Sequence, residues 1–544
     1  MTKISFISTG LLILISVILR TFNLKNDIHV HPDERFIMMT VFDFQEKGLY
    51  PPNFNYGQFP FYLLYFFYKG LVFFNILWND FDSVYIAGRL LVTIVFLVQL
   101  FFVNSIMKLV GASIVSRNFT LWLYSINPFS VQQCRFFTVD PFLSFFLVMM
   151  VYFVMKNKSI ASGACLGLAL ASKITALVGI AFLLVYSFIQ ASADRNFLRW
   201  IKFYIWALIA AFIVFFISNP FFFVFFDRAL SDTLAEIRLS RGLDTRPYTL
   251  QFVGTVSPFY QVEHLLKTAR PEILFLGIVF LPLCIMRAPA FVTLLAFLIF
   301  LVPALTSFTK FPRYFLPAFP FVFIFAGCAL DLIRNIGLRS LIFSVLLFFQ
   351  SLYCYTFLAI YFEKHPYWSA SVFIKQNFPQ LTVGNPSWDD VIPINGEEAG
   401  IKYVTLDYYG FENGDGQKKF FEELQKVDFL IFPTQRIPLS FARSNDKYPK
   451  TSKLINLIFE NIENPEYFQL VYASNDPPNI LGFQYLDYCF DESLTVYNYS
   501  RVIIFKVLKK LDHETFLERF NQTRIFDFSK FCSVYSKTKG MYLE

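Results

Sequence analysis

The chain has 544 residues, of which 56% are hydrophobic and only 16% are charged. Soluble globular proteins carry roughly 25% charged residues, so this composition excludes an ordinary soluble enzyme and indicates a membrane protein. The 47 Lys and Arg residues against 40 Asp and Glu residues give a net charge of +7, which is too mild and too dispersed to indicate a nucleic-acid partner.

Eleven apolar runs are predicted to cross a bilayer as helices. They lie at 4–22, 84–107, 118–131, 141–155, 160–172, 174–190, 203–219, 272–286, 290–307, 314–333 and 340–360. The aromatic-rich run 59–77 is expected to lie along the membrane surface or to re-enter it. Arg20 and Asn23 stand where a signal peptide would carry small residues for cleavage, so we expect the first run to be retained as a span.

The basic residues of the short loops predict which side of the membrane each loop faces. Lys and Arg cluster at 108–117, 156–158, 195–202, 287 and 334–339, which places these loops in the cytoplasm. The loops 23–83, 132–140, 220–271 and 308–313, the turn at Lys173 and everything after 361 are then expected outside.

Two of the predicted spans are short. The runs 118–131 and 160–172 reach only about 20 Å at 1.5 Å per residue, against a hydrocarbon core of about 30 Å. Polar backbone at that depth needs protein or a cavity around it. We therefore expect a water-accessible hollow in the outer leaflet, and a functional site within it.

The composition changes near His365, where Gly, Pro, Asn, Asp and Lys become frequent again. Helix-like segments at 369–377, 415–427, 450–460 and 512–520 alternate with strand-like segments at 401–408, 428–434, 467–473, 480–486 and 501–507. This alternation predicts a small α/β domain. We therefore divide the chain into a transmembrane domain, 1–362, and a soluble extracytoplasmic domain, 363–544.

The seven Cys residues include no CxxC pair and no Cys/His cluster with zinc spacing. The sequence therefore indicates neither a structural metal nor a disulfide framework. Cys489 and Cys532 are able to pair if their domain faces an oxidising compartment, and the sequence leaves this open.

Acidic residues stand in the first two predicted outer loops. Asp33 and Glu34 follow His31 and Pro32 shortly after the first span, and a carboxylate at the mouth of a hollow is suited to act as a general base. The alternative is that both acids form the polar first turn of a helix. Asp140 lies in the second loop, before Pro141, where it is either a functional acid or a helix N-cap.

Cations stand at the outer ends of several spans. Lys173 interrupts an apolar stretch in GLALASKITAL, and Arg135 lies in QQCRFFTVDP. Lys310 and Arg313 in KFPRYFLPAFP precede a helix whose N-terminus is predicted to face the hollow, which favours an anion such as phosphate. Interfacial anchoring by these basic side chains is the alternative.

The long outer loop 220–271 contains Arg246 and Tyr248 in LDTRPYTLQFVGT. Such a loop is suited to close over a lipid-borne substrate. Loops also carry polar residues merely because they are exposed to solvent, and the sequence does not separate the two interpretations.

Taken together, eight motifs resemble those of one group of proteins, in the same chain order. They are HPDER, NFNYGQFPFYLLY, AGRLL, NPFSVQQCRFFTVD, GLALASK, SNPFFF, LDTRPYTLQFVGT and KFPRYFLPAFP, and they cover most of 1–335. They resemble integral membrane glycosyltransferases of the GT-C fold, in particular family-39-like relatives of protein O-mannosyltransferases and lipid A aminoarabinose transferases. One departure is GNPSWDD, where such domains tend to carry a charged residue before Trp388, so we assign that motif no role.

The resemblance implies a polytopic helical domain that moves a sugar from a polyprenyl-phosphate carrier to a lipid, glycan or protein acceptor on the outer membrane face. It further implies inversion at the sugar carbon. By the same carry-over, Asp33 with Glu34 beside it and Asp140 match the family's acids. The cations expected to bind the carrier phosphate are Lys173, Lys310, Arg313 and Arg135. No cofactor is required, and a divalent metal shared by Asp33 and Asp140 is left open.

A transporter or flippase of lipid-linked sugars is the main alternative. Transporters place ionisable residues near the bilayer midplane and often contain inverted repeats. Here the charged residues gather at the outer ends of the spans and no internal repeat is visible, which favours an enzyme. A membrane scaffold without activity, presenting the α/β domain to partners, is a third interpretation.

Overall fold

A computed structural model describes residues 2–26, 30–510 and 513–537. The chain divides into two compact units. The first comprises Met1–Gly242 and Ser257–Tyr355, and the second comprises Leu243–Val256 and Thr356–Glu544. The second unit thus takes in part of the long loop 220–271 as well as the C-terminal region.

The first unit is built from helices. They are α1 (Thr2–Thr21), α2 (Pro32–Lys47), α3 (Phe59–Phe73), α4 (Phe81–Val110), α5 (Ile114–Ile126), α6 (Pro128–Gln132), α7 (Asp140–Met155), α8 (Ser159–Leu170), α9 (Val178–Asp194), α10 (Phe197–Ser218), α11 (Pro220–Val224), α12 (Phe226–Ser240), α13 (Ser257–Ala269), α14 (Pro271–Met286), α15 (Ala288–Thr306), α16 (Phe319–Leu330) and α17 (Ile336–Leu358), the last of which continues into the second unit. Single 3-10 turns at Ile174–Leu177 and Pro312–Phe315 precede α9 and α16.

Several of these helices have the length and composition of membrane spans. Among the described residues, five helical segments qualify, and six do if the pair α13 and α14, bent by 108°, counts as one span. Five shorter apolar helices accompany them, including α7 and α8. The protein is therefore a multi-pass membrane protein, and the count of eleven spans stays a prediction.

The two short spans proved to be short helices. The run 118–131 is broken at Asn127, where α5 ends and α6 begins with Pro128, and the Asn127 side chain accepts a hydrogen bond from the backbone of Ser130. The run 160–172 forms α8, which has 12 residues. A helix of that length covers about 18 Å at 1.5 Å per residue, which is less than the hydrocarbon core.

The second unit contains a five-stranded sheet with the strand order β2-β1-β3-β5-β4. The strands are β1 (Thr382–Pro386), β2 (Lys402–Leu406), β3 (Phe429–Phe432), β4 (Phe468–Ala473) and β5 (Ile503–Val507). β1 pairs in parallel with β2 and β3, and β5 pairs antiparallel with β3 and β4. The central strand β3 is apolar and buried at every residue, as a strand covered on both faces requires.

Helices accompany the sheet of the second unit. They are α18 (Pro366–Asn377), α19 (Gly414–Leu424), α20 (Arg436–Arg443), α21 (Pro449–Glu460), α22 (Glu492–Thr495), α23 (His513–Gln522) and α24 (Phe528–Lys537). The predicted α/β class is confirmed, but one strand assignment was wrong and one strand was missed. The segment 480–486 forms only an isolated bridge between Ile480 and Phe483, and β1 was missed because its sequence, TVGNP, contains Gly and Pro.

A buried ionic cluster lies at the carboxyl ends of β1 and β3. The Arg436 guanidinium donates to Glu492 at 2.9 Å, and Asp389 accepts from the Thr434 hydroxyl at 2.8 Å. Arg436 lies 3.9 Å from Asp389, whose side chain is fully buried. Burial raises the pKa of Asp389 to about 7, although Arg436 opposes the shift.

The raised pKa of Asp389 predicts a pH-dependent stability of the second unit. Because the folded state binds this proton more tightly than the unfolded state, the stabilisation is complete below about pH 4 and is lost as the pH rises through about 7. In Asp389→Asn the thermal midpoint of the full-length protein should fall less between pH 5 and pH 8 than in wild type. If the thermal midpoint fell by the same amount in both proteins, the raised pKa of Asp389 would be contradicted.

Candidate functional site

Four charged side chains from distant parts of the first unit form one alternating chain. Arg313 makes an ion pair with Asp33, and its Nε lies 3.9 Å from an oxygen of Asp140. The other oxygen of Asp140 accepts from the ammonium of Lys173 at 2.7 Å. Two carboxylates and two cations thus alternate, and their charges cancel.

Three of these four side chains line a cavity of about 120 Å³. Asp140, Lys173 and Arg313 line it, and so do Tyr56 and Glu236. The side chain of Asp33 is 27% exposed, whereas that of Asp140 is only 3% exposed. Of the two acids, Asp33 is therefore the one that an incoming molecule reaches more easily.

Asp33 is positioned by the start of α2. Pro32 occupies the first turn of this helix, and the imidazole of His31 accepts from the backbone N–H groups of Asp33 at 3.2 Å and Glu34 at 3.4 Å. The capped turn fixes where both carboxylates leave the backbone. The predicted helical first turn is present, and it also carries the residue that pairs with Arg313.

Tyr56 reaches the cluster through a segment clamped to the end of α8. The Gly57 N–H donates to the carbonyl of Ser172, and the Phe59 N–H donates to that of Ala171, both at 3.1 Å. A Cβ at Gly57 would lie 2.1 Å from the Ala171 oxygen, so only glycine permits this approach. The clamp holds Tyr56 within hydrogen-bonding reach of Asp33.

The surroundings keep Asp33 ionised. Burial disfavours the charged form, but the charges of Arg313 and His31 and hydrogen bonds from Arg313 and Tyr56 outweigh it and lower the pKa of Asp33 to about 2. Burial and the charge of Asp33 raise the pKa of Tyr56, so its phenol stays protonated and donates to the carboxylate.

Asp140 and Lys173 meet at the start of α7 and after the end of α8. The residue before Asp140, Val139, holds the N-cap position without a side-chain cap, so the alternative that Asp140 caps the helix is not what the structure shows. Lys173 stands 5.0 Å from the Tyr314 ring centroid in addition to its ion pair. Its charge is thus compensated within the protein.

Glu34, the second acid of the first loop, points away from the cluster. Its two oxygens accept from the guanidinium of Arg89 at 2.9 and 2.6 Å, and both side chains are fully buried. The backbone N–H of Phe137 donates to the same carboxylate at 2.9 Å. These bonds in a closed environment favour a structural role for Glu34, and its expected catalytic role stays a prediction.

Two predicted phosphate ligands also lie elsewhere. Arg135 is fully buried and donates to the backbone carbonyls of Phe22 and Asn23, so it fixes the segment after α1. Lys310 is 1% exposed and donates to the carbonyl of Phe308 at 2.7 Å. Neither is among the described residues that line the cavity, and only Lys173 and Arg313 of the four expected cations are.

Arg246 and Tyr248 belong to the second compact unit, in Leu243–Val256. The Arg246 guanidinium lies 3.4 Å from the Tyr248 hydroxyl, at the start of the 3-10 turn Pro247–Phe252. Their expected role in covering a substrate stays a prediction.

Sequence reasoning missed two residues at the cavity. Tyr56 lies in the motif NFNYGQFPFYLLY, which contributed only to the family resemblance. The sequence feature that could have indicated its role is the neighbouring Gly57 in an aromatic-rich segment. Glu236 lies on α12, whose charged residues are typical of a solvent-exposed helix face, so no sequence signal distinguishes it.

The donor set at this site does not fit a divalent metal. A guanidinium stands between Asp33 and Asp140 and pairs with both. Nowhere in residues 2–26, 30–510 and 513–537 do three His, Cys, Asp or Glu side chains come together as metal ligands.

Comparison with solved structures identifies the fold. No protein-family model matches the chain, and no curated protein matches it in sequence. The archaeal oligosaccharyltransferase AglB from Archaeoglobus fulgidus, solved with an inhibitory peptide and a dolichol-phosphate, superposes with a TM-score of 0.54 at 12% identity, over 93% of this chain and 88% of AglB. ArnT from Cupriavidus metallidurans, bound to undecaprenyl phosphate, gives 0.51 at 12% identity, over 93% of this chain and 99% of ArnT.

Both neighbours are GT-C glycosyltransferases. The likeness extends over nearly the whole length of each chain, and at this level of identity it is a likeness of fold. The predicted GT-C fold is therefore confirmed, and the protein has the architecture of this class of membrane enzyme.

The closed pair of Glu34 and Arg89 predicts a stability defect rather than a purely catalytic one. Glu34→Ala leaves the buried Arg89 charge unpaired and should lower the free energy of unfolding by about 3–5 kcal/mol. Heating followed by fluorescence-detected size-exclusion chromatography measures the loss of folded protein. Adding Arg89→Met to Glu34→Ala should restore part of the stability.

A Glu34→Ala protein that is as heat-resistant as wild type would contradict this assignment. If that variant also lacked enzymatic turnover, Glu34 would return as a catalytic candidate.

Proposed function

We propose that this protein is a membrane glycosyltransferase that moves a sugar from a polyprenyl-phosphate-linked donor to an acceptor hydroxyl on the outer face of the membrane. The acceptor is a lipid, a glycan or a protein. The reaction inverts the sugar carbon and uses Asp33 as the general base. The second unit is extracytoplasmic in this proposal.

The observation that carries the proposal is the ion pair between Asp33 and Arg313. The two residues are 280 positions apart in the sequence, and the proposal requires that they serve one bound molecule. Their direct contact beside a cavity meets that requirement. The fold supports the same reaction class, because AglB and ArnT were solved with a dolichol-phosphate and undecaprenyl phosphate, which are both polyprenyl phosphates.

Arg313 and Lys173 are the cations that would hold the donor phosphate. The Nε of Arg313 is buried and has no hydrogen-bond partner among the described residues, so one donor of its guanidinium is available to a ligand oxygen. A guanidinium and an ammonium near one phosphate stabilise the negative charge that grows on it as the sugar leaves. Because phosphate is already a good leaving group, it needs these cations more than a proton.

Donor binding also prepares Asp33 for its task. A carboxylate with a pKa of about 2 is a weak base while Arg313 holds it. When the guanidinium turns to the phosphate, Asp33 loses its strongest partner and its basicity rises. The base thus becomes stronger at the moment when the donor is in place.

The charges balance over the proposed reaction. The donor phosphodiester carries one negative charge, and polyprenyl phosphate leaves with two. The acceptor hydroxyl oxygen attacks the sugar carbon, the bond from that carbon to the phosphate oxygen breaks, and the hydroxyl proton passes to Asp33. The negative charge lost at Asp33 equals the charge gained by the leaving group, so a single displacement with one base suffices and no retaining pair is needed.

The present cavity is a closed form of the proposed site. Its volume of about 120 Å³ is smaller than the roughly 300–1,000 Å³ of typical ligand pockets. Side chains of the lining therefore move when a sugar phosphate enters. Separation of Asp33 from Arg313 is the movement that frees both functional groups.

Replacement of Asp33 tests the function and the base together. A strain that lacks the gene should lose one glycan modification, which mass spectrometry of envelope glycans, lipids and proteins identifies. Wild-type protein should restore it, whereas Asp33→Asn should be inserted and folded but restore less than about 1% of it, since general-base catalysis contributes about 10²–10⁴-fold.

The matched control is Asp43→Asn on the same helix. Asp43 forms an exposed pair with Lys47, and this variant should restore the modification fully. Wild-type turnover in Asp33→Asn would remove Asp33 as the base. An unchanged glycan profile in the deletion strain, with a lipid-linked sugar accumulating on one leaflet, would favour a transporter.

Replacement of Arg313 tests the phosphate site. Arg313→Ala should raise the KM for the purified lipid-phosphate donor by about 10- to 100-fold, because one charge-assisted hydrogen bond is worth about 1.5–3 kcal/mol. The donor KM of Arg313→Lys should lie between those of wild type and Arg313→Ala, since lysine keeps the charge but not the planar set of guanidinium donors. Lys310→Ala should leave the donor KM unchanged, because its ammonium bonds the Phe308 carbonyl.

An effect of Arg313→Ala on the acceptor KM alone would contradict the phosphate assignment. Equal effects of Arg313→Ala and Lys310→Ala on the donor KM would return Lys310 to the site.

A further inference from the structure

Two cysteines of the second unit lie side by side although 42 residues separate them in the sequence. Cys489 lies in the segment before α22, and Cys532 lies in α24. The two thiols are within hydrogen-bonding distance of each other, and both are partly exposed. The other five cysteines are buried in the first unit.

Packing on both sides brings the two thiols together. The ring of Tyr488, next to Cys489, lies 6.4 Å from the ring of Tyr535, which is three positions after Cys532 on α24. On the other side, Arg443 donates to the Phe490 carbonyl at 3.5 Å and lies 4.5 Å from the Phe528 ring centroid. Both flanks of Cys489 are therefore tied to the helix that carries Cys532.

The position of Cys532 on its helix fits this arrangement. Phe528, Cys532 and Tyr535 follow one another at a spacing of four and three residues, which places them on one helix face. The rings of Phe531 and Tyr535 are 4.4 Å apart and hold the same turn. The helix face that meets Cys489 is thus fixed by aromatic contacts before and after the thiol.

The surroundings of Cys532 favour its thiolate form. The hydrogen bond from Cys489 and the charge of Arg443 lower the pKa of Cys532, against the opposing effects of burial and Asp487. A thiolate that is partly exposed beside a cation and a second thiol is the usual setting of an oxidisable cysteine.

We propose that Cys489 and Cys532 form a disulfide when the second unit faces an oxidising compartment. The inference rests on the extracytoplasmic orientation given under the proposed function and is independent of sugar transfer. The modification would tie α24 to the segment before α22 and close a loop of more than 40 residues, which restricts the unfolded chain.

The reaction needs an oxidant that itself carries a disulfide. The Cys532 thiolate attacks one sulfur of the oxidant and forms a mixed disulfide, and the first thiolate of the oxidant leaves. The Cys489 thiolate then attacks Cys532 and displaces the second thiolate. The protein loses two electrons and two protons, and the oxidant becomes a dithiol.

The experiment compares cells with purified protein. Full-length protein is expressed in its own host, free thiols are alkylated in denaturant without reductant, and the digest is analysed by mass spectrometry. The peptide linking Cys489 to Cys532 should be present in wild type and absent from Cys489→Ser and Cys532→Ser. Cys165→Ser, in the first unit, should retain the link.

A second arm treats the purified, reduced full-length protein with oxidised glutathione. The linked peptide should form in wild type and not in either serine variant. Its absence from both arms overturns the pairing. If the linked peptide forms with glutathione but not in cells, the second unit does not face an oxidising compartment, and the proposed outward orientation is wrong. Sugar transfer is tested independently by the Asp33 variants.

Discussion

The alternating chain of Asp33, Arg313, Asp140 and Lys173 is the interaction on which the candidate site depends. A charged side chain in a mostly apolar bundle is costly unless it is paired, and here each charge has a partner of opposite sign. The pairing brings together the starts of α2 and α7, the turn after α8 and the turn before α16. Each charge is already paired, so a ligand that brings new charge must displace part of this cluster, and the Arg313 Nε is a donor still open to it among the described residues.

Two adjacent acids in the first loop show how burial separates roles. Asp33 is partly exposed and faces a cation at a cavity, whereas Glu34 is enclosed with Arg89. The two side chains leave the first turn of α2 in different directions, so one turn supplies both a functional candidate and a structural anchor. Arg135 fixes the segment after α1 by donating to the carbonyls of Phe22 and Asn23. Asp33 itself is positioned by the capped first turn of α2 and by its ion pair with Arg313.

Much of the fold was predictable because its signals are local. Apolar runs predicted most of the helices, and the return of polar residues near His365 predicted where the α/β region begins. The errors arose where packing overrides local preference. β1 contains Gly and Pro yet becomes an inner strand between β2 and β3, and the segment 480–486 has strand-like residues but pairs only through one bridge. The break at Asn127 divided a run that hydropathy alone treats as continuous.

By itself, the sequence determined the membrane class, the GT-C resemblance and the residue types of the site, because composition and motif order are properties of the chain. It placed Asp33, Asp140, Lys173 and Arg313 among the candidates, but it did so equally for Glu34, Arg135 and Lys310. Only the tertiary structure showed which of these side chains gather in one cluster, since that grouping is set by helix packing between segments far apart in sequence. The same packing revealed Tyr56 and Glu236, and it brought Cys489 to Cys532, because proximity across a fold leaves no trace in the spacing of residues.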